Sequence, residues 1–183
     1  VSGETTCDHE KILTVGLKGY MDECRENIAK TPGTSKEDQE KINYWKACII
    51  QCEGLIIYAH RMAKEAERQA ACCTDEKRKK ELLAIAENCR IVPEFPPRNF
   101  QQALQSIWFV HVYFHIEVCT TANGFGRFDQ YMWPYYKKDV IDEKNITQEE
   151  ALEMLECFYL KACEVYEVRD KWYATSFAGY PMW

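Results

Sequence analysis

Val92–Tyr136 reads VPEFPPRNFQQALQSIWFVHVYFHIEVCTTANGFGRFDQYMWPYY, and the fold turns on how this stretch is read. It holds four of the six prolines and a dense run of aromatic residues. Each proline ring fixes φ and removes a donor, so Pro93, Pro96 and Pro97 stop whatever precedes them. Asn99 is placed to cap a new helix, its side-chain oxygen accepting from an orphan N–H. From Phe100 onward, Ala103, Leu104, Ile107, Trp108, Val110, Val112, Phe114 and Ile116 leave almost no polar face, the pattern of a helix buried nearly all round. Thr120 to Gly126 is then small and flexible in composition. A buried helix opening into such a loop is a candidate wall of an interior pocket, while a core helix followed by a turn accounts for the same pattern.

Outward from this stretch the chain reads as helices with local stop and start signals. Asp8 is the N-cap of a helix from about His9 to Lys30, with Ile12, Leu13, Leu17, Tyr20, Met21, Cys24 and Ile28 at helical spacing. Gly16 and Gly19 weaken that pattern but permit close approach of a neighbour. Thr31-Pro32-Gly33-Thr34 ends it. Ser35 and Asp38 form a capping box for the longest helix, about Lys36 to Cys72, whose stripe runs through Ile42, Trp45, Cys48, Ile49, Cys52, Ile56, Ala59, Ala63, Ala66 and Ala70. Thr74-Asp75 starts a third helix, charged at first and apolar later at Leu82, Leu83, Ile85, Ala86 and Cys89. Pro134 falls where a helix would be kinked or only beginning. Thr147 and Glu150 cap a final helix through about Val168, with Ala151, Leu152, Leu155, Phe158, Tyr159, Ala162 and Val165 as its buried face. No β-alternation and no repeat is visible in residues 1–168, so the segment reads as mainly α.

A chain of 183 residues with net charge −6, 46% hydrophobic and 13% aromatic residues can bury a real core. That balance points neither to disorder nor to a nucleic-acid partner. No apolar run approaches a membrane span, and the acidic start lacks signal-peptide character. Most of the ten cysteines sit inside helical patterns, which predicts structural thiols in a reducing cytoplasm rather than a disulfide scaffold. The chain begins at Val1 without methionine and stops in an aromatic motif at Trp183, so a piece of a longer polypeptide is expected.

Few residues announce chemistry on their own. His111 and His115 share a helical face at i, i+4, yet no third ligand converges on them, so they read as buried, hydrogen-bonded residues and no bound metal is expected. Arg127 and Asp129 beside a glycine turn could clamp an anion, but anchoring the turn to the core is the better reading. The rings of YMWPYY can be buried with their polar tips satisfied. No phosphate-binding glycine loop, catalytic triad pattern or HExxH is present.

The motifs PPRNFQQALQSIWFVHV, GRFDQYMWPYYKKD, ALEMLECFYLK and GYPMW resemble the glycyl radical enzymes related to pyruvate formate-lyase, nearest the diol dehydratase and related C–X lyase branch. The resemblance covers the whole chain in order. It implies that residues 1–183 are the helical portion of a ten-stranded α/β barrel. The catalytic cysteine and the radical glycine would lie on loops outside this segment, expected downstream. It further implies a glycyl radical installed by an activating enzyme that uses S-adenosylmethionine and an iron–sulfur cluster, a homodimer, a small-molecule substrate and anaerobic chemistry. The 183-residue chain alone would be inactive.

Substrate-pocket residues follow from the resemblance one position at a time. The diol dehydratases carry a histidine after the glycine of a GHT-like loop, a place held here by Glu4. Their His-Ser pair before GRFDQY is here Thr121 and Ala122. These departures remove groups that would hydrogen-bond a polyol, which argues against plain glycerol dehydration. Choline lyases carry a carboxylate at the Glu4 place, pointing to a cationic or hydroxylated substrate. Trp183 occupies an aromatic place that is tryptophan in isethionate-type sulfonate lyases, and a carboxylate facing a sulfonate is repelled unless paired or protonated. The implied activity is therefore C–O, C–N or C–S cleavage of a small hydroxylated substrate. Formate acyl transfer and a non-catalytic helical interaction domain stand as alternatives.

Overall fold

The computed structural model describes residues 5–117 and 123–164. In chain order it contains β1 (Thr5–Thr6), α1 (His9–Lys30), α2 (Lys36–Cys72), α3 (Glu76–Ile91), α4 (Phe100–Glu117), β2 (Asn123–Gly124), α5 (Phe128–Tyr136), a π-helical turn (Lys137–Asp142) and α6 (Gln148–Ala162). The mainly helical reading holds, and the first two helices begin and end where their caps predict. Asp8 accepts from the Lys11 amide, and Ser35 and Asp38 make both bonds of a capping box. Thr147 and Glu150 do the same for α6. Asp75 accepts from two amides at the start of α3.

The helix α4 lies between two cores. Its Phe109 and Val110 join Leu17 and Met21 of α1, Leu55, Ala59 and Ala63 of α2, and Cys89 of α3. Its Phe100, Ala103, Leu104 and Ile107 pack with Leu13, Met132, Ala151 and Phe158. Serving two cores is why its first three turns are buried on most sides, with Gln101 the exposed residue among them. The burial ends sooner than the sequence suggests: Ile116 is 60% exposed, because the last turn runs past both clusters.

The proline hinge reorganises α1. Gly16 has φ 68° and ψ 170°, which breaks the helix there. The Leu17 and Lys18 amides, cut off from their intrahelical acceptors, donate instead to the carbonyls of Pro93 (2.9 Å) and Glu94 (3.0 Å). The Leu13 carbonyl released by the break accepts from the Tyr135 hydroxyl at 3.0 Å. Every group orphaned by the break that these contacts reach is thereby satisfied from another element, as burial demands. The peptide bond between Val92 and Pro93 is cis.

The start of α4 is held from across the fold. Asn99 accepts from the Gln102 amide at 2.8 Å, as expected of a cap. The Phe100 amide donates to the buried carboxylate of Asp139 at 2.6 Å, and Lys138 donates to the Arg98 carbonyl. Asp139 belongs to the π-helical turn, which follows directly on the helix containing Pro134. Pro134 thus sits inside α5 rather than at its beginning.

Three expectations are corrected. The helix α6 stops at Ala162, with Cys163 and Glu164 in a turn, short of Val168. Of its expected buried face, Leu152 and Tyr159 are half exposed, since the core beneath is only wide enough to cover Ala151 and Phe158 fully. The segment also contains strand: β1 and β2 pair in parallel, Thr5 opposite Asn123 and Thr6 opposite Gly124. No described helix is long and apolar enough to cross a membrane.

Candidate functional site

The β1–β2 bridge is the feature around which a site can be built. Parallel pairing means that both strands run the same way, starting at Thr5 on one side and Asn123 on the other. Gly126 has φ 62°, and a Cβ there would meet the Thr6 methyl at 2.9 Å, so glycine lets β1 lie against the chain after β2. Glu4, Thr121, Ala122 and Trp183 themselves lie outside the described residues. What the structure brings together are their described neighbours Thr5 and Asn123.

Behind the bridge lies a buried cluster of imidazoles and rings. His9, in the first turn of α1, is 2% exposed, and neither ring nitrogen has a hydrogen-bond partner among the described residues. Its ring lies 5.5 Å from Tyr131 and 6.4 Å from Phe125. His111 of α4 is equally buried, with its ring 4.6 Å from Phe125 and 4.7 Å from His115. Asn123 Nδ2 lies 3.4 Å from His111 Nδ1. An amide nitrogen can only donate, so this contact places the ring proton of a neutral His111 on Nε2. Burial lowers both imidazoles to about 4; His115 and His9 add to the effect on His111, and Asp8 opposes it on His9. Both rings are therefore uncharged at neutral pH.

These lowered values set a pH dependence. Between about pH 6.5 and 4 the unfolded chain binds protons at His9 and His111 that the folded chain does not. Stability is fully present above 6.5 and is lost as pH falls toward 4. At pH 5 the loss is about 2 kcal/mol per imidazole. Thermal melts from pH 7 to pH 5, a range in which ordinary carboxylates stay mostly ionised, should show the midpoint falling, with a shallower fall for His9→Phe. Equal slopes for the two proteins would rule out a buried neutral His9.

A concavity of about 540 Å³ lies between α1, α2 and α4, lined among others by Cys7, Lys11, Tyr20, Gln51, Cys52 and Tyr113. Burial pushes the thiols of Cys7 and Cys52 up to about 12, so neither is a thiolate nucleophile at neutral pH. Tyr113 is occupied by donating to Gln51 Oε1 at 2.6 Å.

The other sequence candidates resolve as follows. Arg127 and Asp129 form an ion pair of 3.8 Å but are 73% and 77% exposed, so they do not anchor the turn to the core. That task falls to Phe125, Phe128 and Tyr131, whose hydroxyl donates to the Phe125 carbonyl at 2.6 Å. Trp133 is half exposed and stacks on Tyr136. The nine described cysteines are free, and Cys72, Cys157 and Cys163 are exposed. Among the described residues no group of three His, Cys, Asp or Glu has the geometry of a metal site. Sequence reasoning overlooked His9 and Asn123. His9 stands one turn before Leu13 on the buried face of α1, and that spacing is the signal that could have marked it.

A helical core with a short parallel bridge at its edge has clear relatives. The pyruvate formate lyase-like family model matches residues 1–183. An isethionate sulfite-lyase of Oleidesulfovibrio alaskensis is 43% identical over 155 residues, covering 84% of this chain and 19% of that protein. An indoleacetate decarboxylase of Tractidigestivibacter scatoligenes is 41% identical over 164 residues, 89% of this chain and 18% of that protein. A solved structure concerned with 1,2-propanediol dehydration in Roseburia inulinivorans superposes with a TM-score of 0.91 at 39% identity, covering 96% of this chain and 21% of that one. The chain belongs to the pyruvate formate lyase-like family of glycyl radical enzymes. It spans about a fifth of the length of the relatives it matches.

Proposed function

We propose that this chain is the helical, substrate-wall segment of a glycyl radical lyase that cleaves a C–X bond in a small hydroxylated substrate. The observation that carries the reading is the β1–β2 bridge. In a chain matched along its whole length to this family, it pairs the described neighbours of Glu4 and Ala122. Glu4 would orient the substrate, Thr121 and Ala122 would shape one wall, and Trp183 would close the pocket. The radical, on a glycine outside this segment, would supply the hydrogen abstraction after installation by an S-adenosylmethionine-dependent iron–sulfur activating enzyme. The described residues do not take part in that chemistry. They hold the wall and keep water from it, and the uncharged, closely packed surroundings of His9, His111 and Phe125 suit a site that excludes water. The remainder of the ten-stranded barrel, the homodimeric state and a cytoplasmic, anaerobic setting complete the reading.

The leaving group divides the candidates. Isethionate would lose sulfite, 1,2-propanediol would lose water, and a choline-type substrate would lose an amine. An arylacetate such as indoleacetate would lose carbon dioxide and fall outside the reading. The test is anaerobic activation of the full-length enzyme. A glycyl radical signal by electron paramagnetic resonance, followed by product from isethionate, 1,2-propanediol or choline, is the expected result. A radical that turns over indoleacetate alone, or only transfers acyl groups from a 2-oxo acid, would overturn it. In the same enzyme Glu4→Ala should change the relative kcat/KM among these substrates by about tenfold or more with an unchanged melting temperature. Unchanged kinetics with a lowered melting temperature would remove Glu4 from the site.

A further inference from the structure

We infer that His111 is a positioning residue for the substrate wall: it seats the segment 123–125 from beneath and thereby fixes the strand that leads out of Thr121 and Ala122. Two contacts converge on the one imidazole. Asn123 Nδ2 reaches His111 Nδ1 at 3.4 Å, and the Phe125 ring lies over the same imidazole at 4.6 Å with an interplanar angle of 33°. The two residues stand at i and i+2, so in an extended segment their side chains leave the same face. That face is directed at α4.

The seat is well suited to fixing a position. His111 is 1% exposed and Asn123 is 2% exposed, so water cannot replace either partner. The Phe125 ring is itself wedged, with Phe158 at 5.0 Å. Among the described residues, Asn123 Oδ1 is buried without a partner and His111 is the side chain that the Asn123 amide bonds. A two-residue bridge cannot hold itself rigid, since isolated strand pairs are marginal even at hairpin length. The register of Asn123 opposite Thr5 thus depends on what lies under β2, where His111 supplies a polar contact to Asn123.

The inference rests on the proposed function, because only a substrate wall gives the seat a kinetic meaning. A displacement of about 1 Å at such a wall loosens the contacts that hold the substrate, and misplacement on that scale is enough to lower kcat/KM a hundredfold. His111 touches no substrate in this scheme and acts through Asn123.

The test uses the full-length, activated enzyme and whichever of isethionate, 1,2-propanediol or choline the wild type consumes. His111→Phe keeps a ring against Phe125 and removes the acceptor. His111→Gln keeps an acceptor and removes the ring. For His111→Phe, the expected result is a KM raised about tenfold or more, kcat changed less, and an unchanged yield of glycyl radical per subunit. His111→Gln should recover most of the KM. Hydrogen–deuterium exchange should show faster uptake at Thr6 and Gly124 in His111→Phe, with α2 unaffected. A KM within twofold of wild type in His111→Phe, with only a lower melting temperature, would overturn the positioning role and leave the functional reading intact. Equal KM losses in both variants would overturn the hydrogen bond as its agent. A wild type whose radical turns over indoleacetate alone, or only transfers acyl groups from a 2-oxo acid, would overturn the functional reading, and the positioning role with it, whatever the exchange data show.

Discussion

Gly16→Ala is expected to lower folding stability by more than about 3 kcal/mol, the largest effect of any single methyl group in the described fold. Gly16 combines a positive φ of 68° with a ψ of 170°, a region that only glycine occupies without strain. The added Cβ would also lie 2.5 Å from the Glu94 carbonyl oxygen and 2.9 Å from the Phe95 backbone, atoms that cannot swing aside as a side chain can. Moving the hinge away would break the bonds from Leu17 and Lys18 to Pro93 and Glu94 and leave the amide of the buried Leu17 unpaired. Denaturant unfolding measures the loss, and amide exchange should locate it at Leu17 and Lys18. Gly19→Ala is the control: its Cβ would meet only the Val15 side chain of the same helix, at 3.0 Å. Its effect should stay within about 1 kcal/mol. Similar losses at the two glycines would mean that the hinge contact carries no special weight.

Asp139→Ala should destabilise by about 3 kcal/mol. The Asp139 carboxylate is 3% exposed and accepts from the first amide of α4 at 2.6 Å, where the partial positive charge of the helix end favours an anion. Its other oxygen accepts from Asn145 at 3.3 Å, and its backbone carbonyl accepts from the Asn145 amide at 2.8 Å. Removal leaves the Phe100 N–H buried and unpaired at the head of the helix that serves both cores. Asp139→Asn retains an oxygen for Phe100 but not the charge, and should cost about half as much. The order wild type, Asn, Ala in denaturant midpoint is the expected outcome. An alanine variant as stable as wild type would show that Asn99 suffices to start α4 alone.

How far the sequence discloses this fold depends on whether the deciding interaction is local. Asp8, Ser35 with Asp38, and Thr147 with Glu150 act within one turn, and the helix starts they predict are found. The break at Gly16 was legible only as a weak point, because the carbonyls that stabilise it come from residues 93 and 94. The π-helical turn and its grip on Phe100 join positions that no spacing rule connects. The bridge escaped because two residues cannot show alternation, and the stripe on α6 was drawn too wide because periodicity does not report the breadth of the opposing core. The site divides in the same way. His111 and His115 were legible as neighbours on one buried face, and their rings meet. Glu4, Thr121, Ala122 and Trp183 were named through family likeness, and their roles remain proposals. Asn123 read as one more small loop residue, since its importance comes from a histidine on another element.

The bridge also bears on the order of assembly. Its strands lie roughly 120 residues apart, and closing a loop of that length costs about 4 kcal/mol in chain entropy, more than two backbone hydrogen bonds return. The pairing therefore cannot nucleate. It waits for α1 and α4 to dock, and only then do Thr5 and Asn123 come opposite each other. On the proposed reading, a newly synthesised chain has no substrate wall to offer until its helices are in place, so binding competence would be a late consequence of packing.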